Sequence, residues 1–274
     1  MKNRFIKMHG LGNDFIIFDA RQQKLELTPE RIRALSDRKT GIGCDQLIVM
    51  FAPQAPETDV FLKIYNADGG EVGACGNASR CIGKLLIEET GKVEVILETI
   101  ADKLRARRGG SGLKVTVDMG EAQLDWKKIP LSSEQNTEKL PLELEGLKEP
   151  VAVSMGNPHA VFFVADAEKV PLEILGPQIE HHPLFPERTN VEVAQVLSSD
   201  KIRMRVWERG AGITQACGTG ACATAVAAVR RGLAGRKVTI ILDGGELDIE
   251  WRESDGHVLM TGDAVEVYRG EIEL

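Results

Sequence analysis

The chain has 274 residues, and because a common domain has about 100 to 150 residues, this length predicts two domains. Its composition, 43% hydrophobic and 27% charged, is typical of a globular protein and excludes a disordered one. The 41 acidic residues outnumber the 34 basic ones, and no basic run stands out against the net charge of -7. These features argue against nucleic acid or an anionic membrane as a partner.

The N-terminus and the cysteines bear on the cellular compartment. Residues 1–10 contain no apolar run of the kind that a secretory signal needs, and the longest apolar stretches of the chain are only strand-sized. The five cysteines are an odd number, so they cannot all pair within one chain. We therefore expect a cytoplasmic protein with reduced thiols and no membrane span.

Most of the predicted elements are strands. Runs of apolar and β-branched residues predict them, in chain order, at 15–18, 47–51, 93–97, 113–119, 151–154, 193–196, 238–242 and 247–251. Residues 265–274 alternate like a further strand, which we expect to complete a sheet in the first half of the chain.

Three helices are predicted. The first has Thr28 as N-cap and Pro29 in the first helical position, and it ends near Gly41. The second follows Cys75 and stops at Gly91. The third, at 220–229, has no charged residue, so it belongs inside a core.

An internal repeat explains the length. Residues 65–77 around Cys75 resemble residues 207–219 around Cys217, which follows 142 positions later. Gly12-Asn13 likewise resembles Gly156-Asn157, and Gln46 corresponds to Asn190, both 144 positions apart. Several matches in one order at a nearly constant offset indicate two copies of one unit.

The repeat predicts the domains. The N-terminal domain is 1–118, completed by 263–274, the C-terminal domain is 150–262, and the polar segment 119–149 is a connection. The predicted fold class is α+β, with two pseudo-symmetric lobes. Each lobe is a curved, mostly antiparallel sheet or barrel around a central buried helix.

In both copies a cysteine lies between a glycine-rich turn and the start of the buried helix. The first turn of a helix has unpaired N–H groups and the positive end of the dipole, so we expect a lowered thiol pKa at Cys75 and Cys217. The N–H groups of the next two residues can bind a carboxylate. These residues are Gly76, Asn77, Gly218 and Thr219.

Two such thiols suit the inversion of a stereocentre next to a carboxylate. One base removes a proton from one face, and an acid returns a proton to the other face. A zinc site is disfavoured because no C-x-x-C is present. A Cys–His hydrolase with His159 would leave the second Ala-Cys-Gly without a role. Cys81 and Cys222, on the helices, are expected to fill space, and Cys44 has no evident chemical role.

The motifs along the whole chain resemble the diaminopimelate epimerase family. They include residues 8–15, 43–46, 65–69 and 74–81 in the first half, and 154–159, 185–190, 208–212 and 214–222 in the second. Their length and order make the resemblance specific. It implies that the protein interconverts LL- and meso-2,6-diaminopimelate without a cofactor or metal, in lysine and peptidoglycan precursor biosynthesis. It also implies a homodimer with Tyr268 as an interface residue.

The resemblance also assigns roles to residues. Cys75 acts as proton donor and Cys217 as acceptor in the LL-to-meso direction, and His159 and Glu208 tune the thiol pKa values. Arg209 suits the far carboxylate of the substrate, because a guanidinium binds a carboxylate with two hydrogen bonds. The remaining substrate-binding residues it implies are Asn13, Gln46, Asn66, Gly76, Asn77, Asn157, Asn190, Glu208, Gly218 and Thr219.

Two departures from the family pattern are small. Ala78 stands where a second glycine is usual, and Cys44 where an aromatic residue is common, and neither is a proposed catalytic group. Two alternatives remain at this stage. One is another cofactor-independent racemase, for proline or hydroxyproline, and the other is a thiol-redox or thiol-regulated binding protein.

Overall fold

The computed structural model describes residues 2–73, 75–110 and 114–274. The strands before the midpoint of the chain are β1 (Lys2–Gly10), β2 (Asn13–Asp19), β3 (Gln46–Phe51), β4 (Val60–Asn66), β5 (Glu71–Val72), β6 (Glu94–Glu98), β7 (Lys103–Arg108) and β8 (Lys114–Glu121). Those after it are β9 (Glu143–Leu144), β10 (Leu147–Lys148), β11 (Val151–Ser154), β12 (Pro158–Phe163), β13 (Asn190–Ser198), β14 (Lys201–Glu208), β15 (Gly212–Ile213), β16 (Lys237–Leu242), β17 (Gly245–Trp251), β18 (His257–Asp263) and β19 (Val265–Glu273).

The α-helices are α1 (Pro29–Ser36), α2 (Gly76–Thr90), α3 (Leu172–Glu180) and α4 (Gly218–Arg230), with a short 3-10 helix at Ala167–Lys169. None of these helices is long and apolar enough to cross a membrane, as judged over the described residues. The chain separates into two compact units. The first contains residues 1–118 and 261–274, and the second contains residues 119–260.

The first unit is a mainly antiparallel arrangement of strands. β1 pairs antiparallel with β2, β2 parallel with β3, and β3 antiparallel with β4. β4 then pairs antiparallel with the short β5 and parallel with β6, which pairs antiparallel with β7. The C-terminal strand β19 lies antiparallel to β1.

The second unit repeats this series of pairings in the same order. β11 pairs antiparallel with β12, β12 parallel with β13, and β13 antiparallel with β14. β14 pairs antiparallel with the short β15 and parallel with β16, which pairs antiparallel with β17. The predicted α+β fold class, with two similar lobes of mostly antiparallel strands, is therefore confirmed.

One buried helix belongs to each unit. Helix α2 is buried along most of its length and ends at Gly91, whose φ of 70° is the left-handed conformation that glycine adopts without a steric penalty. Helix α4 is buried almost all round and packs against β11, β12, β13, β16 and β17. Both helices follow a hairpin of the sheet and begin immediately after a cysteine.

Two helices differ from the sequence expectations. Helix α1 has the predicted cap, in which the Thr28 side chain accepts a hydrogen bond from the Arg31 N–H, but it ends at Ser36, because Asp37 is extended. Helix α3 was not predicted, since Gly176 and Pro177 interrupt its pattern. It is stabilised by burial of Leu172, Leu175 and Ile179. Of the strand predicted at 113–119, Leu113 lies outside the described residues.

The segment predicted as a connection, 119–149, is packed into the second unit. Its apolar side chains enter the same core as α3 and β13, and they are Ile129, Leu131, Leu140, Leu142 and Leu147. A small hairpin of β9 and β10 lies within it. Widely spaced leucines between polar residues gave no regular period, so the sequence alone did not reveal this burial.

Candidate active site

In the first unit, Cys75 is the N-cap residue of α2. Its backbone is extended, its carbonyl accepts a hydrogen bond from the Ser79 N–H at 2.9 Å, and its side chain makes no capping bond. The sulfur lies 3.9 Å from the side-chain oxygen of Asn13, which also accepts a hydrogen bond from the Asn77 amide at 3.2 Å. The structure therefore brings three of the predicted site residues together around one amide oxygen.

Two further predicted residues meet on the neighbouring strands. Gln46, at the start of β3, pairs in register with Asn66, at the end of β4, and donates a hydrogen bond to its side-chain oxygen at 3.0 Å. The other oxygen of this pair, Oε1 of Gln46, is buried and has no partner among the described residues. Such an acceptor is available to an ammonium group.

Charged residues fix the position of Asn13. Its amide donates to Asp45 at 3.0 Å, and the same carboxylate accepts a hydrogen bond from the Asp14 N–H. Asp14 in turn binds Lys7 at 2.5 Å and Arg38 at 2.6 Å. Burial acts to raise the pKa of Asp14, but the hydrogen bonds from Arg38 and Lys7 outweigh it and hold the pKa well below its usual range.

In the second unit, Cys217 is the N-cap residue of α4 and is buried, with 4% of its surface exposed. Its sulfur accepts a hydrogen bond from the Gly220 N–H at 3.4 Å and lies 3.5 Å from the hydroxyl of Thr219. The amide of Asn157 donates to that hydroxyl at 3.3 Å. The predicted residues Asn157, Thr219 and Cys217 are thus joined by direct contacts.

The pKa of Cys217 differs from the sequence expectation. Burial raises it well above its ordinary value, and the charges of Glu208 and Glu192 act in the same direction. The Thr219 hydroxyl and the Gly220 N–H lower it but do not compensate. The prediction of a lowered pKa was wrong for this thiol, because the helix end is inside the core rather than at the surface.

His159 lies on β12 and has no exposed surface. Its Nε2 is 3.0 Å from the side-chain oxygen of Asn157, and its Nδ1 is 2.7 Å from Glu192 on β13. Glu192 is also fully buried, and burial raises its pKa. Sequence reasoning missed Glu192, although an acidic residue inside an otherwise apolar strand, two positions after Asn190, was a usable signal.

Glu208 is the last residue of β14, and Arg209 begins the turn that follows. The backbone N–H of Arg209 donates to the side-chain oxygen of Asn190 at 2.9 Å, and the Thr214 hydroxyl donates to the Glu208 carboxylate. The side-chain NH2 group of Asn190 donates a hydrogen bond to the Pro158 carbonyl at 2.8 Å. Asn190 therefore holds the backbone of the turn at Arg209. The Arg209 side chain is exposed.

The remaining predicted residues lie at the beginnings of the two helices and outside them. Gly76 and Gly218 begin α2 and α4. Tyr268 is on β19 with 44% of its surface exposed. Cys44, Cys81 and Cys222 are buried, and burial raises the pKa of Cys81 to about 12. The described residues contain no group of three or more histidine, cysteine or acidic side chains that could hold a metal ion.

The chain matches the model of the family described as diaminopimelate epimerase, over residues 5–125 and 151–267. Curated relatives carry the same name. The relative from Rhodospirillum centenum is 56% identical over 99% of this chain and 93% of its own length. That from Phenylobacterium zucineum is 54% identical over 99% of this chain and 98% of its own length.

Solved structures share the fold at much lower identity. A phenazine biosynthesis protein from Bacillus anthracis has a TM-score of 0.70 at 15% identity, with all of both chains covered. A hydroxyproline epimerase from Agrobacterium vitis has a TM-score of 0.66 at 16% identity, over 99% of this chain and 91% of that one. At such identities the likeness concerns the fold alone.

Proposed function

The chain belongs to the diaminopimelate epimerase family, and on that premise we propose that it interconverts LL- and meso-2,6-diaminopimelate, a step of lysine and peptidoglycan precursor synthesis. The observation that carries the proposal is the repeated arrangement of a cysteine at the start of a buried helix in each unit. The family membership makes the substrate specific, whereas the shared fold with a hydroxyproline epimerase does not distinguish the two substrates.

The reaction needs only the two thiols as proton carriers. A thiolate, Cys75 or Cys217, removes the proton from the α-carbon and becomes a thiol, and the bond electrons remain on carbon as a carbanion. The thiol of the other cysteine then protonates the opposite face of that carbon and becomes a thiolate. In the LL-to-meso direction Cys217 accepts and Cys75 donates. The two cysteines exchange protonation states in each turnover. The enzyme is therefore left in the form that starts the reverse reaction, and no cofactor or metal is consumed.

The carbanion is stabilised by the helix beginnings. We propose that the N–H groups of Gly76 and Asn77 in α2, and of Gly218 and Thr219 in α4, bind the reacting carboxylate. Fixed donors aimed at developing charge stabilise a transition state without reorganisation. The buried Oε1 of Gln46, which has no partner in the part of the chain that the structure describes, supports its role beside Asn13 and Asn66 in binding the substrate.

The far end of the substrate is assigned to the second unit. We propose that the exposed guanidinium of Arg209 binds the distal carboxylate, and that Glu208 and Asn157 bind a polar or ammonium group. Asn190 contributes by holding the Arg209 backbone. Glu208 and His159 tune the thiols, and the rise that Glu208 causes in the pKa of Cys217 supports this role.

A homodimer in the cytoplasm is also proposed. Tyr268 and Val267 are exposed neighbours on β19, and the Tyr268 ring meets Phe5 edge to face at 6.0 Å between centroids. An aromatic residue fixed in this way on an exposed strand suits an interface. Light scattering should give a dimeric mass for the wild type and a smaller mass for Tyr268→Ala. A wild type that remains monomeric at high concentration contradicts the proposal.

Solvent exchange tests the activity. The reduced protein is incubated with LL-diaminopimelate in D2O, and NMR follows deuterium at the α-carbon and the isomer ratio. We expect exchange together with conversion to the meso isomer. Exchange of proline alone would favour a proline racemase, and no exchange of either substrate would favour a thiol-redox binding protein.

Cysteine variants test the two-base assignment. Cys75→Ala and Cys217→Ala should each abolish epimerisation, because each removes the proton carrier of one face. Cys81→Ala is the matched control, since Cys81 is a buried thiol of helix α2 with no proposed role, and it should keep turning over. Near-normal turnover by Cys75→Ala refutes the assignment.

A further inference from the structure

A line of hydrogen bonds leads from a buried carboxylate to the sulfur of Cys217. It passes from Oε1 of Glu192 to Nδ1 of His159 at 2.7 Å, and from Nε2 of His159 to the side-chain oxygen of Asn157 at 3.0 Å. The amide of Asn157 then reaches the Thr219 hydroxyl, which contacts the sulfur at 3.5 Å. All of these residues belong to the second unit.

The chemistry of the groups fixes the direction of this line. The side-chain oxygen of Asn157 can only accept, so the Nε2 of His159 has to carry a proton. The amide of Asn157 occupies the Thr219 oxygen as a donor. The hydroxyl proton of Thr219 is then free to be donated to the sulfur of Cys217, together with the Gly220 N–H. Two donors at the sulfur favour the thiolate.

The protonation of Glu192 follows from its contact with His159 and from its burial. With Nε2 protonated, the contact between Nδ1 of His159 and Oε1 of Glu192 needs one more proton, carried by the carboxyl or shared with the ring. Both side chains have no exposed surface, and Oε2 of Glu192 has no hydrogen-bond partner among the described residues. An ionised carboxylate without donors is costly in such a place, and burial raises the pKa of Glu192 accordingly.

We propose that Glu192 is a positioning residue for Cys217. Glu192 shares one proton with His159 and thereby orients Asn157 and Thr219, so that the Thr219 hydroxyl donates to the sulfur of Cys217. The inference rests on the proposed function, since it concerns the proton transfer at Cys217. In the opposite arrangement Glu192 is ionised and His159 carries its proton on Nδ1 and none on Nε2. The side-chain amide of Asn157 is then rotated, so that its NH2 group faces Nε2. In that arrangement the Thr219 hydroxyl points away from the sulfur.

The protonation of His159 in the wild type decides between the two arrangements. Nitrogen-15 NMR of protein labelled in its five histidines, without substrate, reports which ring nitrogen carries a proton, and a His159→Gln spectrum assigns the signal. We expect a protonated Nε2 at neutral pH. An unprotonated Nε2 overturns the proposal. This readout does not depend on turnover, so it also stands if the protein fails to convert diaminopimelate.

Two substitutions of Glu192 test the positioning role in turnover. Glu192→Gln keeps a donor for Nδ1, so its kcat should stay within about threefold of the wild type. Glu192→Met has a similar size but no donor, and its kcat should fall by about tenfold or more with little change in KM. An unchanged kcat in Glu192→Met, or an equal loss in both variants, overturns the proposal.

Glu180 provides the matched control. It is a carboxylate with 2% exposure in the same unit, but it contacts Trp207 and Gly210 instead of His159. Glu180→Gln should leave the His159 signals unchanged. If Glu192→Met does not fold, the wild-type spectrum and the kcat of Glu192→Gln still decide. Normal turnover together with an unprotonated Nε2 of His159 contradicts this inference alone. An absence of turnover together with a protonated Nε2 contradicts the proposed function alone.

Discussion

The backbone N–H of Gly220 points to the sulfur of Cys217 at 3.4 Å, so the first turn of α4 supplies a donor to a thiol that has almost no contact with solvent. The two effects oppose each other. A helix end contributes about 0.3–2 kcal/mol to a charge, whereas full burial shifts a pKa by up to about 3–5 units. Burial prevails, and the pKa of Cys217 rises well above its ordinary value.

The first prediction is that Cys217 is a thiol at neutral pH in the protein without substrate. The ultraviolet absorbance of the thiolate, measured as wild type minus Cys217→Ala, should appear only above the pH at which an ordinary thiol ionises. The unfolded thiol ionises near pH 8.5. The folded pKa is higher, so this group should lower the stability as the pH rises beyond about 8.5, and Cys217→Ala should lack that decrease. A Cys217 thiolate at pH 7 contradicts the prediction.

The second prediction concerns the absence of a side chain at position 220. A Cβ there would lie 2.8 Å from Oε1 of Glu192, which is too close, and 3.3 Å from the Cys217 sulfur, which is a tight contact. Gly220→Ala should therefore displace the thiol and reduce kcat by about tenfold to a hundredfold. Gly235→Ala is the control, because its nearest neighbour would be 3.9 Å away. If both variants turn over alike, the close packing has no consequence for catalysis.

The sequence predicted the repeat and the position of Cys75 and Cys217 at the starts of two helices, because both depend on local order along the chain. The strand predicted at 47–51 is β3, one residue longer, and the helix expected after Cys75 begins at Gly76. The sequence did not predict Glu192, whose function depends on the parallel pairing of β12 with β13. That pairing brings His159 next to a strand that begins 31 positions later. Burial of Cys217 escaped prediction for the same reason, since desolvation comes from packing and not from the helix end.

The third prediction concerns Glu180 as a support of the Arg209 turn. Its carboxylate accepts hydrogen bonds from the Trp207 indole at 2.7 Å and from the Gly210 N–H at 2.9 Å. In Glu180→Gln one of these donors faces an NH2 group and is left unsatisfied. The turn that carries Arg209 should loosen, and the KM for diaminopimelate should rise by about tenfold.

The chemical step should change less than binding in Glu180→Gln, because the hydrogen bonds of Glu180 go to Trp207, Gly210 and Arg188 and not to a cysteine. We expect kcat to stay within about threefold of the wild type. Trp207→Phe removes only the indole donor, so its KM should rise by a smaller factor. Steady-state kinetics with LL-diaminopimelate measure both constants. A variant in which kcat falls and KM is unchanged would place Glu180 in the chemical step instead.

The fourth prediction concerns the stability of the first unit. Lys7 and Asp14 form an ion pair at 2.5 Å, in which the side chains are only 9% and 14% exposed. Asp14→Asn leaves the Lys7 ammonium buried without its carboxylate, which should cost about 3–5 kcal/mol of stability at pH 7. Glu271→Gln is the control, since its pair with Arg4 is exposed and should contribute about 0–1 kcal/mol.

The pH dependence gives the sign of the Asp14 effect. Arg38 and Lys7 hold the pKa of Asp14 well below its usual range despite burial, so the unfolded chain binds this proton first as the pH falls. The stabilisation is therefore complete above about pH 4, where the unfolded carboxyl is ionised, and decreases below it. Urea unfolding at neutral and acidic pH should show the gap between wild type and Asp14→Asn narrowing in acid. A gap that is constant with pH would mean that the charge of Asp14 contributes nothing, and that the variant is destabilised through packing instead.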